Sequence, residues 1–302
     1  MNASSKTIRV FKQMALLSLW LVIQPFEVVA QDLKSRVLAA SESRLANRKA
    51  SKSIRSEMDI VFHEIQGQKI KADLYRPDTQ ENLPIVIMIH GGAWVSGDKW
   101  NVSDHASQMA DAGFVVMAIN YRLAPKNPWP AQLIDCQAAV QWMSDHHEQW
   151  HGNIESVGLW GYSAGAQLAL MIALETKTGM PRIQACVAGG PPCDLEFVPP
   201  KSQLLSSFLG GSREEYPDRY REASPIHLLS SDDPPLFIFH GDQDLIVPIE
   251  NSQRLQQKAV ELGVVIEYRE VPMLGHIMTF LDQNSRLEAI RFLKQHLTRS
   301  SP

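Results

Sequence analysis

Between His146 and Gly165 the chain reads HHEQWHGNIESVGLWGYSAG, and two runs inside it hold residue types that do hydrolytic chemistry. His147-Glu148-Gln149-Trp150-His151 has the H-E-x-x-H spacing. On a helix that spacing brings two imidazoles onto one face to bind zinc, with the glutamate as general base. Gly161-Tyr162-Ser163-Ala164-Gly165 has the G-x-S-x-G spacing, which at a strand-to-helix turn exposes a nucleophilic hydroxyl. Either string arises by chance, so the elements around them must choose.

A serine hydroxyl is a poor nucleophile at neutral pH and needs a base, an acid that orients the base, and donors for the oxyanion. Each has a candidate at a strand end. Leu236–His240 reads as a strand, and the carboxylates Asp242 and Asp244 follow it. Val264–Val271 reads as another, and Gly275-His276 follows. Pro84–His90, PIVIMIH, is a continuous apolar run of the kind buried on both faces of a sheet, and Gly91-Gly92-Ala93 follows directly. Glycines there let backbone N–H groups turn inward, where with the Ala164 N–H they would hold a tetrahedral oxyanion. Asp242 is the rival for the acid role, with a turn-holding role as its plainer reading. His90 reads as a brace for the oxyanion loop, and Asp98 and Lys99 as its lock, through hydrogen bonds or a surface ion pair. Trp94, Trp129, Tyr162 and Met273 are candidates for a substrate pocket, although aromatic residues fill cores by default.

The elements that must position these residues alternate along the chain. Residues 57–64 and 70–76 read as a hairpin around Gly67. Phe114–Asn120, Val157–Trp160 and Ile183–Ala188 read as further strands. Ser103–Ala112, Pro130–His147, Ser163–Glu175, Glu250–Leu262 and Ser285–Leu297 read as helices, with Ile134, Ala138 and Trp142 on one face of the second. This is an α/β pattern and predicts a mostly parallel central sheet flanked by helices. A strand ends at Trp160 and a helix starts at Ser163, so the serine motif has the context it requires. The H-E-x-x-H run lies at a fraying helix end before Gly152-Asn153, with no convincing third ligand, and reads as a solvated terminus.

Composition narrows the class. The chain has 302 residues and net charge −4, with 29 basic and 33 acidic residues well mixed. No basic run points to nucleic acid. Lys6, Arg9 and Lys12, the apolar stretch Met14–Ile23 and the exit Val28-Val29-Ala30 read as a signal peptide over 1–30. Residues 31–55 read as an N-terminal lead-in and 56–302 as the catalytic domain. Within that domain, 191–234 reads as a small cap insertion over the pocket. The expected location is periplasmic or secreted, with no stable membrane insertion after signal cleavage. The chain has three cysteines, so there is no disulfide framework. Cys136 reads as core filler and Cys186–Cys193 as a candidate pair.

HGGAWVSGDK, YRLAP, GYSAG, HGDQDLIVP and GH occur in that order. Together they resemble the α/β-hydrolase superfamily over roughly residues 57–299. Within it the likeness is to the carboxylesterase branch related to the hormone-sensitive lipase family, and still more to small bacterial feruloyl- and acetylxylan-esterase-like enzymes. The resemblance implies Ser163 as nucleophile, Asp244 as acid and His276 as base. It implies oxyanion donors among Gly91, Gly92, Ala93 and Ala164, and no cofactor or metal. Ala93 departs from the H-G-G-G of lipase-like members, which favours the small-esterase branch and leaves the second donor open. The expected activity is hydrolysis of short-acyl or aryl esters, as small molecules or linked to plant polysaccharide, through an acyl-enzyme. An arylformamidase or a peptidase of the same fold, and a non-catalytic exported binding protein, are the alternatives.

Overall fold

The computed structural model describes residues 54–175, 179–197 and 202–298. The expected signal peptide, nearly all of the expected lead-in, and residues 198–201 of the expected cap lie outside the described residues.

Eight strands form one sheet: β1 (Ile54–Ile65), β2 (Gln68–Pro77), β3 (Leu83–Ile89), β4 (Val115–Ile119), β5 (Gly152–Tyr162), β6 (Ile183–Gly189), β7 (Leu236–Gly241) and β8 (Ile266–Val271). Their spatial order is β1-β2-β4-β3-β5-β6-β7-β8. The β1–β2 and β2–β4 pairings are antiparallel, and every other pairing is parallel. The expected hairpin is β1–β2. Because β3 to β8 are parallel, their carboxyl ends share one edge, where crossover loops of an open α/β sheet build sites.

Period-two alternation divides the core between the two faces of the sheet. Ile85, Ile87 and Ile89 of β3 and Met117 of β4 point into one cluster, whereas Val86, Met88, Val116 and Ala118 point into the other. Both faces are covered, so β3 and β4 read as unbroken apolar runs. The first face is covered by α2 (Ala131–His146), α3 (Ala164–Leu174) and α6 (Glu250–Glu261). The second is covered by α1 (Ser103–Asp111) and α8 (Gln283–Leu297). α3, AGAQLALMIAL, is buried along nearly its whole length, as an apolar helix without a polar face must be. The stripe expected on α2 holds in part, since Ala138 and Trp142 pack partly buried against the core. Leu133, Cys136, Val140 and Met143 face the core, and Ile134 is exposed. The true face is wider because α2 also buries Gln132 and Asp135.

The 191–234 segment contains two short helices, α4 (Gln203–Leu209) and α5 (Pro217–Glu222). Its Leu195, Leu205, Phe208, Leu209, Tyr220, Ala223, Ile226 and Leu229 join the first core cluster. α7 (His276–Leu281) completes the α-helices among the described residues. No helix among the described residues is long and apolar enough to cross a membrane.

Cys136, Cys186 and Cys193 are free and buried, so the candidate Cys186–Cys193 disulfide does not form. Cys186 is held in the middle of β6, while the Cys193 thiol lies 3.5 Å from the Pro191 carbonyl oxygen. Burial raises both thiol pKa values and leaves the thiols protonated.

Candidate active site

Ser163 stands between β5 and α3 with φ 55° and ψ −121°. A side-chain-bearing residue rarely holds that backbone, and where one does the surroundings must enforce it. Its N–H donates to the Gly189 carbonyl at the end of the neighbouring β6, at 2.8 Å. Strand and helix are clamped tightly on either side. A β-carbon on Gly161 would run into the Gly165 carbonyl, and one on Gly165 into the Ile89 carbonyl. The two glycines of the motif are therefore steric requirements of the turn. Ala164 opens α3, so its N–H has no acceptor within the helix.

Asp244 and His276 come together at the ends of β7 and β8. His276 Nδ1 lies 2.5 Å from Asp244 Oδ2. Asp244 Oδ1 accepts from the N–H groups of Ile246 and Val247, each at 2.9 Å. Burial would raise the Asp244 carboxyl. Hydrogen bonds from His240, His276 and the Val247 N–H outweigh it and hold the group well below the usual carboxylate range. The carboxylate is thus ionised at neutral pH, and His276 Nδ1, facing it, carries a hydrogen. The Tyr162 hydroxyl donates to the His276 carbonyl at 2.5 Å, and the two rings are 5.2 Å apart. Gly190 brings β6 to the same place: a β-carbon there would sit 3.1 Å from His276 Cε1. Ser163 is tied to Gly189, and His276 packs against Gly190. Asp242 takes the turn-holding role, accepting from the Met273 N–H at 2.6 Å.

The loop after β3 is built from three consecutive residues of positive φ: Gly92 (122°), Ala93 (54°) and Trp94 (62°). Its carbonyls are pinned. His90 Nδ1 lies 2.6 Å from the Gly91 oxygen, and the Gly92 oxygen accepts from the Val95 and Ser96 N–H groups. A trans peptide points its N–H opposite its C=O, so these anchors fix the directions of the Gly92 and Ala93 N–H groups. Gly91 is close enough to the nucleophile that a β-carbon on it would sit 3.3 Å from Ser163 Cβ. His90 is fully buried and stacks on Tyr121 at 4.4 Å. Burial lowers its pKa, which keeps the brace neutral. Asp98 caps the short turn Lys99–Val102 and accepts from Asn120 Nδ2 at 2.8 Å. Lys99 does not form the expected surface pair; its ammonium is buried against Asp73 at 2.9 Å and also reaches Asp59 at 3.0 Å.

Of the pocket candidates, Trp94 is 3% exposed, stacks on Phe208 at 4.1 Å, and donates from Nε1 to Gln167 Oε1 at 3.0 Å. Trp129 meets the edge of the same Phe208. Trp94, Trp129 and Tyr162 are thus bracing walls rather than open surface. Met273 is 85% exposed, and Leu245 and Ile246, next to Asp244, are exposed with it. Residues 147–151 do not form the zinc helix turn. His147–Trp150 is a 3-10 turn, His151 is left-handed, and His147 Nδ1 lies 2.8 Å from the Gly152 oxygen. Among the described residues, Asp194, Glu196 and His227 bring potential metal-ligand atoms within 4.8 Å of one another. Arg254 already pairs with Asp194 at 2.9 Å and His227 with Glu196 at 2.6 Å, as in a charge-compensated network.

Two residues at this site had no role in the sequence reading. His240 is fully buried and touches Asp244; Ser252, from α6, touches His240. A histidine ending an apolar strand four residues before the acid was the available signal for the first. Nothing in the sequence marks the second.

The BD-FAE family model matches residues 72–259, well over half of the chain. Esterase LipQ of Mycobacterium tuberculosis is 28% identical over 229 residues, which cover 70% of this chain and 54% of that protein. The probable carboxylic ester hydrolase LipM of the same organism is 29% identical over 244 residues, 74% of this chain and 56% of that protein. The chain spans about half the length of the curated relatives it matches. Among solved structures, a truncated carbohydrate esterase from gut microbiota superposes with TM-score 0.73 at 23% identity, covering 82% of this chain and 98% of that one. Butyrate-bound esterase Est2 of Thermogutta terrifontis gives 0.69 at 21%, covering 82% and 96%. The sheet order, the serine turn and these likenesses agree on an α/β-hydrolase fold, and the chain belongs to the BD-FAE family.

Proposed function

We propose that this protein is an exported serine carboxylesterase. His276 takes the proton of Ser163 as the hydroxyl attacks an ester carbonyl. Asp244 orients the ring and stabilises the imidazolium. N–H groups from Gly91–Ala93 and Ala164 receive the oxyanion. The imidazolium then protonates the leaving alcohol, and water activated by His276 releases the acid from the acyl-enzyme. The observation that carries the reading is the positive-φ serine between β5 and α3, beside a buried aspartate–histidine pair. That the relatives LipQ and LipM carry esterase names supports it.

The proposed substrates are short-acyl or aryl esters. Exposed Leu245, Ile246, Met273 and Ile277 flank Asp244 and His276 and offer an apolar rim suited to such groups. The carbohydrate esterase among the structural neighbours supports trying plant polysaccharide as the carrier of the ester.

The test is hydrolysis of p-nitrophenyl acetate, butyrate and decanoate by the protein and by Ser163→Ala. We expect acetate and butyrate to outrun decanoate, and kcat to fall by at least about 10⁴-fold in the variant. Full activity in Ser163→Ala would remove the serine mechanism. Inactivity on esters with turnover of an aryl formamide would move the reading to amide-type substrates. Export is checked by fractionation of the producing cells, and retention of the full-length chain in the cytosol would count against it.

A further inference from the structure

The acid of the site is held by more than its partner base. His240, the penultimate residue of β7, presents Nε2 to two oxygens, Asp244 Oδ2 at 3.1 Å and the Val247 carbonyl at 2.9 Å. Neither oxygen can donate at neutral pH, so Nε2 carries the hydrogen. The other nitrogen, Nδ1, lies 2.6 Å from Ser252 Oγ in the first turn of α6. In the tautomer with the hydrogen on Nε2, Nδ1 is the acceptor and the Ser252 hydroxyl donates to it. His240 and Ser252 are both fully buried, so no water competes for these groups.

Asp244 therefore receives four donors. Two backbone N–H groups occupy Oδ1, and two imidazoles, His276 and His240, share Oδ2. Val247 closes a ring, since its N–H donates to Asp244 while its carbonyl accepts from His240. A carboxylate on a loop can turn about χ1 and χ2; one with its lone pairs taken from both sides cannot. The geometry points to His240 as a positioning residue: it fixes the carboxylate that orients His276, and Ser252 sets the tautomer in which it does so. The inference rests on the serine-esterase reading and extends it to a chain of orientation from α6 through Ser252, His240 and Asp244 to the base.

The experiment compares His240→Leu, His240→Gln and Ser252→Ala with the parent protein. It measures kcat and KM on p-nitrophenyl acetate, per active site titrated with an organophosphonate. Gln places an amide N–H near the position of Nε2, whereas Leu places no donor there. We expect His240→Leu to lose roughly 10- to 100-fold in kcat, the effect of one hydrogen bond to a charged group, with KM within about twofold. Gln should recover most of that loss. Ser252→Ala, a small change in a helix, should lower kcat several-fold at unchanged KM, and it decides the matter should the leucine variant not fold. Equal kcat in all four proteins, equal losses in the leucine and glutamine variants, or losses seen only in KM or in the titrated fraction would overturn the positioning role. Ser163→Ala run alongside separates the two levels. Activity surviving in that variant removes the serine reading itself, whereas its loss there with parental kcat in the His240 and Ser252 variants removes only the present inference.

Discussion

Ser163 holds its backbone at φ 55°, ψ −121°, a region that costs a non-glycine residue of order 1–3 kcal/mol. The cost is met by the packing of Gly161 against Gly165 and Gly165 against β3, which leaves the turn no other path. The hydroxyl is thereby lifted off the sheet edge instead of capping its own helix; α3 has no side-chain cap bond from Ser163. A stability prediction follows from the strain alone. Ser163→Ala keeps the strain and Ser163→Gly relieves it, while glycine adds some entropy to the unfolded chain. The balance should leave the glycine variant more stable than the alanine variant by about 1 kcal/mol in urea titrations, with both inactive. Equal midpoints would mean that the turn is not strained.

At the scale of elements, the turn after β4 depends on one buried ion pair. Arg122 Nε lies 2.9 and 3.0 Å from the two carboxylate oxygens of Asp135, and the Arg122 N–H donates to the same group at 2.8 Å. Asp135 is fully buried on α2, so the pair locks α2 to the strand end that lies behind the oxyanion loop. Removing one partner strands the other charge. Asp135→Ala should lower the unfolding free energy by roughly 3–5 kcal/mol, and Arg122→Met with Asp135→Leu should cost less than that single change. Thermal melts of the three proteins decide this, and a double variant no better than the single would mean that the pair contributes more than mutual neutralisation. This pair was not visible in the sequence, where YRLAP served as one of the motifs of the resemblance. Ile134 was misplaced on the α2 face for the same reason, because Asp135 and Gln132 are buried polar residues inside the true face. α4 and α5 were missed because each is short, and their burial comes from packing onto the core rather than from a periodic face of their own.

For the whole molecule, legibility followed sequence distance. Ser163, Gly91–Ala93, Asp244 and His276 were candidates in the sequence because each follows a strand within a few residues, with the resemblance choosing Asp244 over Asp242, and a parallel sheet gathers those strand ends on one edge. His240 with Ser252, Tyr162 with His276, and Lys99 with Asp73 are contacts that only the folded chain creates. The cysteines show the same limit. Cys186 and Cys193 are seven residues apart in the sequence, yet one is in β6 and the other in the turn beyond it, both as buried thiols. Stability should therefore come from the two-faced core and not from a covalent staple. Melting midpoints with and without dithiothreitol should coincide, since losing a native disulfide of this kind would cost about 2–4 kcal/mol. Ellman's reagent should find no reactive thiol in the native protein and three after unfolding in guanidinium. A single titratable thiol in the unfolded, unreduced protein, with a lower midpoint on reduction, would mean that the Cys186–Cys193 bond forms and that β6 must end differently from the strand described above.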